Sequence, residues 1–178
     1  MFSNIKELRL RAIKNAQEFI GTTEPLDPLG WGVSGFVFVT PDVRTAVEVH
    51  HQPSAWFTEV KAYSILKQHR IVSLHGLTIP KLRAHDEARQ LIQIDFVSAP
   101  FLLDFAGVTF EPPDFSPEVM ADNVAAIQEK FGPNAHIAFD VYHSLAMLGI
   151  YYLDMRPSNL NLEGLPGVDT TSNEDDFP

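Results

Sequence analysis

Apolar positions recur at helical spacing in the first twenty residues. Ile5, Leu8, Ile13, Ala16 and Phe19-Ile20 form one stripe, opened near Ser3-Asn4 and closed by Gly21, which predicts a helix over 3–20. After a proline-containing linker (22–28) the period changes to two. Phe36-Val37-Phe38-Val39-Thr40 alternates and is rich in β-branched and aromatic residues, so it reads as a strand. A turn at Pro41-Asp42 leads to a return strand over 43–50. Ser54 can cap the next helix, in which Trp56, Val60, Tyr63 and Lys67 follow one face and Leu66 borders it. Strands over 78–83 and 90–96 follow, joined by a polar His85-Asp86-Glu87 turn. Beyond Val97 the pattern is helical. Ser116-Pro117-Glu118 is a start signal, and Met120, Val124, Ile127 and Phe131 share a face as far as Gly132. Ile137, Val141, Leu145 and Leu148 repeat that spacing before Gly149. No internal repeat is visible. The order predicts an α+β chain: a small antiparallel sheet with a packed helix, then a helical half, meeting near residues 95–100.

Composition narrows the function classes. The 178 residues are 45% hydrophobic, enough for a core, and no apolar run is long enough to span a membrane. Met1 to Lys6 lacks the apolar stretch of a secretory signal. The absence of cysteine excludes disulfides, thiolate metal sites and cysteine nucleophiles, and fits a cytoplasmic protein. A net charge of −10 argues against nucleic acid and anionic membranes as partners. Five acids (Glu163, Asp169, Glu174, Asp175, Asp176) and no Lys or Arg lie from Glu163 onward, so a disordered acidic tail is expected over 165–178. His69, His75, His85, His136 and His143 lack the spacing of a metal site, and His50-His51 read as surface histidines at a strand end.

Two motifs carry the candidate chemistry. Gly30-Trp31-Gly32-Val33-Ser34-Gly35-Phe36-Val37 is a G-x-G-x-x-G-x-V pattern that runs into a strand. A dinucleotide fingerprint would run into a helix instead. Glycines at a hairpin turn let backbone N–H groups approach phosphate oxygens closely. Near the other end, Leu153-Asp154-Met155-Arg156-Pro157-Ser158-Asn159 puts an acid, a cation and an amide on one tight loop, after an L-x-x-L-G-I lead-in. Such a set can accept a hydroxyl proton, neutralise phosphate charge and bind Mg2+.

Hairpin and loop together resemble the protein-kinase family: its glycine-rich flap and, in the D-x-[KR]-P-x-N core, its catalytic loop. Phe57 to Leu66 is similar to the family's helix C, with Glu59 at the acidic position, and Leu91 to Val97 is similar to its last N-lobe strand and hinge. The resemblance covers about residues 26–160 and implies a protein-kinase-like α+β fold. An N-terminal helix (1–21) would precede an antiparallel N-lobe (22–97), a truncated helical C-lobe (98–164) and the tail. It implies ATP and Mg2+ as cofactors. Gly30, Gly32, Ser34, Gly35, Val37, Ala46, Glu48 and Glu59 would surround the nucleotide, with adenine against backbone groups of Asp95 and Val97. Asp154 would be the base, Arg156 its cationic neighbour, and Asn159 and Asp176 metal ligands.

Departures from the family pattern shape the functional expectation. V-A-I-K appears as Ala46-Val47-Glu48-Val49, so Glu48 stands where the lysine would pair with Glu59 and hold phosphates. Two like charges about 4 Å apart cost about 4 kcal/mol at an effective dielectric near 20. Lys61 reaching across, His50 contacting phosphate, a register shift or a protonated Glu48 would each relieve this. Tyr152-Leu153 replaces the loop's His-Arg, and Asp176-Phe177-Pro178 is the only candidate for D-F-G. The activation segment, peptide platform and later C-lobe helices have no counterpart. The face carrying Ile137, Val141, Leu145 and Leu148 would therefore need another cover: helix 3–20 folded back, a second copy, or a partner protein. The expectation is a pseudokinase-type module acting by binding or oligomerisation, the alternative a minimal ATP-dependent phosphotransferase using Asp154.

Overall fold

The structure is a computed structural model that describes residues 2–32 and 34–168. In chain order its elements are α1 (Phe2–Ile20), β1 (Asp27–Trp31), β2 (Gly35–Val39), β3 (Thr45–His50), α2 (Pro53–Gln68), β4 (Ser73–Leu74), β5 (Leu77–Thr78), β6 (Leu82–Asp86), β7 (Leu91–Asp95), β8 (Phe101–Leu102), α3 (Pro117–Phe131), α4 (Ala135–Ala146) and β9 (Leu160–Asn161). They fall into two compact units. One holds the residues up to Gln68 together with Pro80–Phe96; the other holds His69–Ile79 and the described residues from Val97 on. The chain is thus α+β, with an antiparallel sheet in its first unit and helices in its second. Among the described residues, no helix is long and apolar enough to cross a membrane.

The first unit is a five-stranded antiparallel sheet in the order β1-β2-β3-β7-β6. Alternation sends Phe36, Phe38, Val47, Val49 and Leu91 to one face, where Ala12 and Ala16 of α1 complete a buried cluster. The small side chains at 12 and 16 let the helix lie close to the strands, and Gly21 in the left-handed region ends it. The apolar stripe of α1 is therefore spent on this sheet. That accounts for the stripe without any role in covering the later helices.

The opposite face carries Val37, Ala46, Glu48, His50, Ile92 and Ile94, and α2 packs there. Trp56 fixes α2 by donating its indole N–H to the Leu91 carbonyl at 3.0 Å. Three expectations change here. The helix opens at Pro53, with Ser54 inside its first turn. Its buried face is Trp56, Glu59, Ala62, Tyr63 and Leu66, with Lys67 exposed. The strand expected over 78–83 is divided between β5, in the other unit's sheet, and β6. Outermost strand β1 is exposed along its length and has an irregular register between Pro28 and Gly30.

The second unit contains a four-stranded sheet of two-residue strands, β4-β5-β8-β9, with α3 and α4. Ser116 caps α3 by accepting from the Val119 N–H, and Gly132 ends it at positive φ. Leu102, Phe105, Val141, Leu145, Ile150 and Leu160 are fully or nearly fully buried. Val141 and Leu145 are therefore already covered in this chain, contrary to the expectation that their face needs outside cover. On α3, Val119, Met120 and Val124 stay exposed, as do Val72, Phe115, Met147 and Leu153 elsewhere in the unit.

Candidate functional site

The glycine-rich segment is a hairpin turn, as its sequence predicts. Gly30 pairs with Val37 and Trp31 with Phe36, and the Gly32 N–H donates to the Gly35 carbonyl at 3.0 Å. Ser34 accepts from the His51 N–H at 2.8 Å, tying the turn to the end of β3. The three glycines differ in what they are for. A Cβ at Gly35 would lie 2.3 Å from the Val49 carbonyl oxygen, so close strand approach excludes a side chain. Around Gly30 and Gly32 a Cβ would meet nothing within 4 Å among the described residues. No packing requirement selects glycine at those two positions. Trp31, between them, is 72% exposed.

Behind the hairpin, Val37 opposes Glu48 across the β2–β3 ladder, and Ala46, Glu48 and His50 share the face that meets α2. Glu59 comes from α2, four residues before Tyr63, and its side chain is wholly buried. The two acids do approach each other, with carboxylate oxygens within 4.8 Å, and against both stands His50. Its Nε2 lies 3.2 Å from Glu59 Oε2 and its Nδ1 lies 3.7 Å from Glu48 Oε1. His50 is buried, which corrects its reading as a surface histidine. The signal was present in the sequence: i, i+2 spacing puts His50 on the same strand face as Glu48. Asp95 ends β7 and pairs with Arg83, while its backbone N–H is spent on the Lys81 carbonyl at 3.1 Å. Val97 lies in the second unit.

Within the second unit the Asp154–Asn159 loop folds onto itself. Asn159 is buried and donates its amide to both the Asp154 backbone oxygen and Oδ2, each at 3.3 Å. Arg156 reaches Asp154 Oδ2 at 3.2 Å and Asp104 Oδ2 at 3.5 Å. Asp104, which sequence reasoning missed, thus joins the predicted trio through the guanidinium. The loop keeps its shape because Met155 and Leu160 are buried on either side of the polar residues, and backbone N–H groups of Asn159 and Leu160 both donate to the Arg156 carbonyl at 2.9 Å. Tyr152 is buried against Phe105 and donates its hydroxyl to the Leu103 carbonyl at 2.7 Å. In this loop, then, an exposed carboxylate is held by an amide and a cation. Asp176, and with it the D-F-G candidate, lies outside the described residues, as does Val33.

No family model matches the sequence, and no curated protein matches it. Among solved structures the fold is similar to the streptomycin–ATP–APH(2")-IIa ternary complex, with a TM-score of 0.39 and 11% sequence identity over 67% of this chain. The match spans 39% of that structure's chain. A likeness at this level leaves the functional reading to the residues of this chain.

Proposed function

We propose that this chain is a protein-kinase-like nucleotide-binding module that takes up ATP against its first unit and acts by binding rather than by efficient phosphotransfer. The observation that carries this reading is the Glu48–His50–Glu59 cluster. An α2 acid reaches β3 where the kinase pattern has its lysine–glutamate pair, but the strand supplies a glutamate and a histidine. An acid at the lysine position disfavours phosphate-bearing transition states, since each 1.4 kcal/mol is about tenfold in rate. Gly30 and Gly32, glycines without a packing reason, support close backbone approach by phosphate oxygens. Gly35, Ser34, Val37 and Ala46 complete the nucleotide-facing set, with Asp95 toward the base.

The alternative, a minimal phosphotransferase with Asp154 as base, Arg156 beside it and Asn159 as an Mg2+ ligand, is favoured by the convergence of those three side chains. A partner protein or second copy is supported by exposed Val119, Met120 and Val124 on α3. A cytoplasmic setting agrees with the cysteine-free sequence.

The test is a thermal-shift titration with ATP, with and without Mg2+ or Mn2+, alongside an ADP-release assay. A ligand that binds only the folded chain stabilises it by about 2.7 kcal/mol at a hundred times Kd. A rise in Tm with no ADP release above background is the expected outcome. An unchanged Tm at millimolar ATP would remove the nucleotide reading. ADP release abolished by Asp154→Asn would favour the phosphotransferase.

A further inference from the structure

Glu48, His50 and Glu59 each present one ligand atom, and these atoms all lie within 4.8 Å of one another. We propose that the three side chains form a site for a divalent first-row metal ion, best matched by Zn2+, whose charge stands where the kinase-like pattern would have a lysine ammonium. The second half of that statement rests on the nucleotide reading above; the metal site does not.

Charge gives the first argument. The side chains of His50 and Glu59 are wholly buried, and that of Glu48 is 13% exposed. Two carboxylates with an imidazolium leave these three groups with a net charge of −1 in a poorly solvated place. A divalent cation with a neutral imidazole leaves them at zero. A cation there meets two carboxylates whose attraction water screens only weakly. Donor chemistry gives the second. One imidazole nitrogen with two carboxylate oxygens suits Zn2+, and less tightly Mn2+, at about 2.0–2.2 Å from each donor. Donors at that radius sit about 3–4 Å apart; Glu59 lies 3.2 Å from Nε2, Glu48 3.7 Å from Nδ1, and the three ligand atoms fall within 4.8 Å, so a bound ion would draw them together. Because Glu48 faces Nδ1 and Glu59 faces Nε2, closure on a single nitrogen requires one glutamate to swing around the ring. Glu48, 13% exposed where Glu59 is wholly buried, is the less enclosed of the two.

Scaffolding gives the third argument. Glu48 and His50 are two residues apart on β3, a strand hydrogen-bonded on both sides by β2 and β7. Glu59 is carried by a helix pinned through Trp56 to the Leu91 carbonyl. Ligands on such elements are held in place before a metal arrives. A fourth ligand would have to come from the Glu48 side, the one partly exposed, where Gly35 and Val37 of the hairpin pair with His50 and Glu48 across the ladder. A phosphate oxygen is the ligand that the nucleotide reading would bring there.

The experiment uses the full chain stripped of metal with a chelator, then titrated with Zn2+ alone by calorimetry and thermal shift, and with Co2+ by visible absorption. One equivalent should bind, raise Tm and give Co2+ bands of a low-coordinate site. Uptake should fall at least tenfold in His50→Gln and Glu59→Gln and stay unchanged in His69→Gln, an exposed histidine elsewhere. If burial makes the first two fail to fold, Glu48→Gln carries the comparison. Absence of one-equivalent uptake, or uptake that survives the folded site variants, overturns the proposal. ATP titrations then separate the two halves. ATP should bind more tightly to the Zn2+ form, and Glu48→Lys should lose the metal yet bind ATP without it. Metal uptake with no ATP binding upholds the site and overturns the nucleotide reading. ATP binding by a chain that takes up no metal overturns the site and leaves the nucleotide reading standing.

Discussion

A methyl group at position 35 would lie 2.3 Å from the Val49 carbonyl oxygen and 3.1 Å from the His50 Cα, both backbone atoms that cannot move aside cheaply. Gly35→Ala should therefore lower the urea-unfolding free energy by about 1–3 kcal/mol, the cost of overpacking. Gly30→Ala and Gly32→Ala should change it by less than about 0.5 kcal/mol, while shrinking the ATP-dependent rise in Tm. Equal stability losses at all three positions would show that the turn, not a ligand, selects every glycine. The motif itself was legible because glycine spacing is a property of sequence alone. The division of labour among its glycines was not, since it depends on how closely β2 approaches β3. Glu48 and Glu59 were likewise legible by position. The strand face of His50 was legible too, from its i, i+2 spacing to Glu48; its burial was not, because a histidine near a strand end has the same local pattern whether buried or exposed. Asp104 sits fifty residues before Asp154, and no spacing rule connects them.

At the scale of elements, the strongest legibility came from punctuation. Gly21, Pro41-Asp42, Ser116-Pro117 and Gly132 each mark a boundary that the chain keeps, because caps and turns are set by one or two residues acting on their own backbone. The two-residue strands β4, β5, β8 and β9 have no period to read, and only pairing across long sequence separations defines them. The face of α2 was misread because Glu59, a charged residue, points inward. Helix α1 offers a direct check on packing. Ala16 is fully buried against the strands, whereas Leu10 of the same helix is 60% exposed. Ala16→Leu should cost about 1–3 kcal/mol by forcing helix and sheet apart, and Leu10→Ala should stay within about 0.5 kcal/mol. Chemical denaturation measures both. Indifference to Ala16→Leu would mean that α1 is not seated on Phe36, Phe38, Val47 and Val49.

For the molecule as a whole, the resolved titration shifts on acids and histidine point one way. Burial, followed by the charges of Arg11 and His50, holds the His51 pKa below its ordinary 6.5, so the unfolded chain takes up that proton more readily. Its contribution is present above 6.5 and is lost as pH falls. The Thr40 hydroxyl holds Asp42 below its ordinary 3.8, the Arg89 N–H and guanidinium hold Asp86 below the same value, and Ser116 holds Glu118 below its ordinary 4.5. Their contributions are present above those ordinary values and are lost as pH falls through the lowered ones. Stability should therefore decline in two stages on acidification, one beginning near 6.5 and one near 4, with His51→Gln removing the first. Urea midpoints collected from pH 8 to pH 3 test this, and a maximum below pH 5 would contradict it. Finally, the outermost strand has a consequence for colloidal behaviour. Pro28 offers no N–H to a newcomer, and the irregular register beside it breaks the straight row of carbonyls that a foreign strand would zip onto. Despite the bare indole at Trp31, that rim is built to resist stacking into fibrils, and concentrated solutions should stay free of cross-β assemblies for as long as the proline is kept.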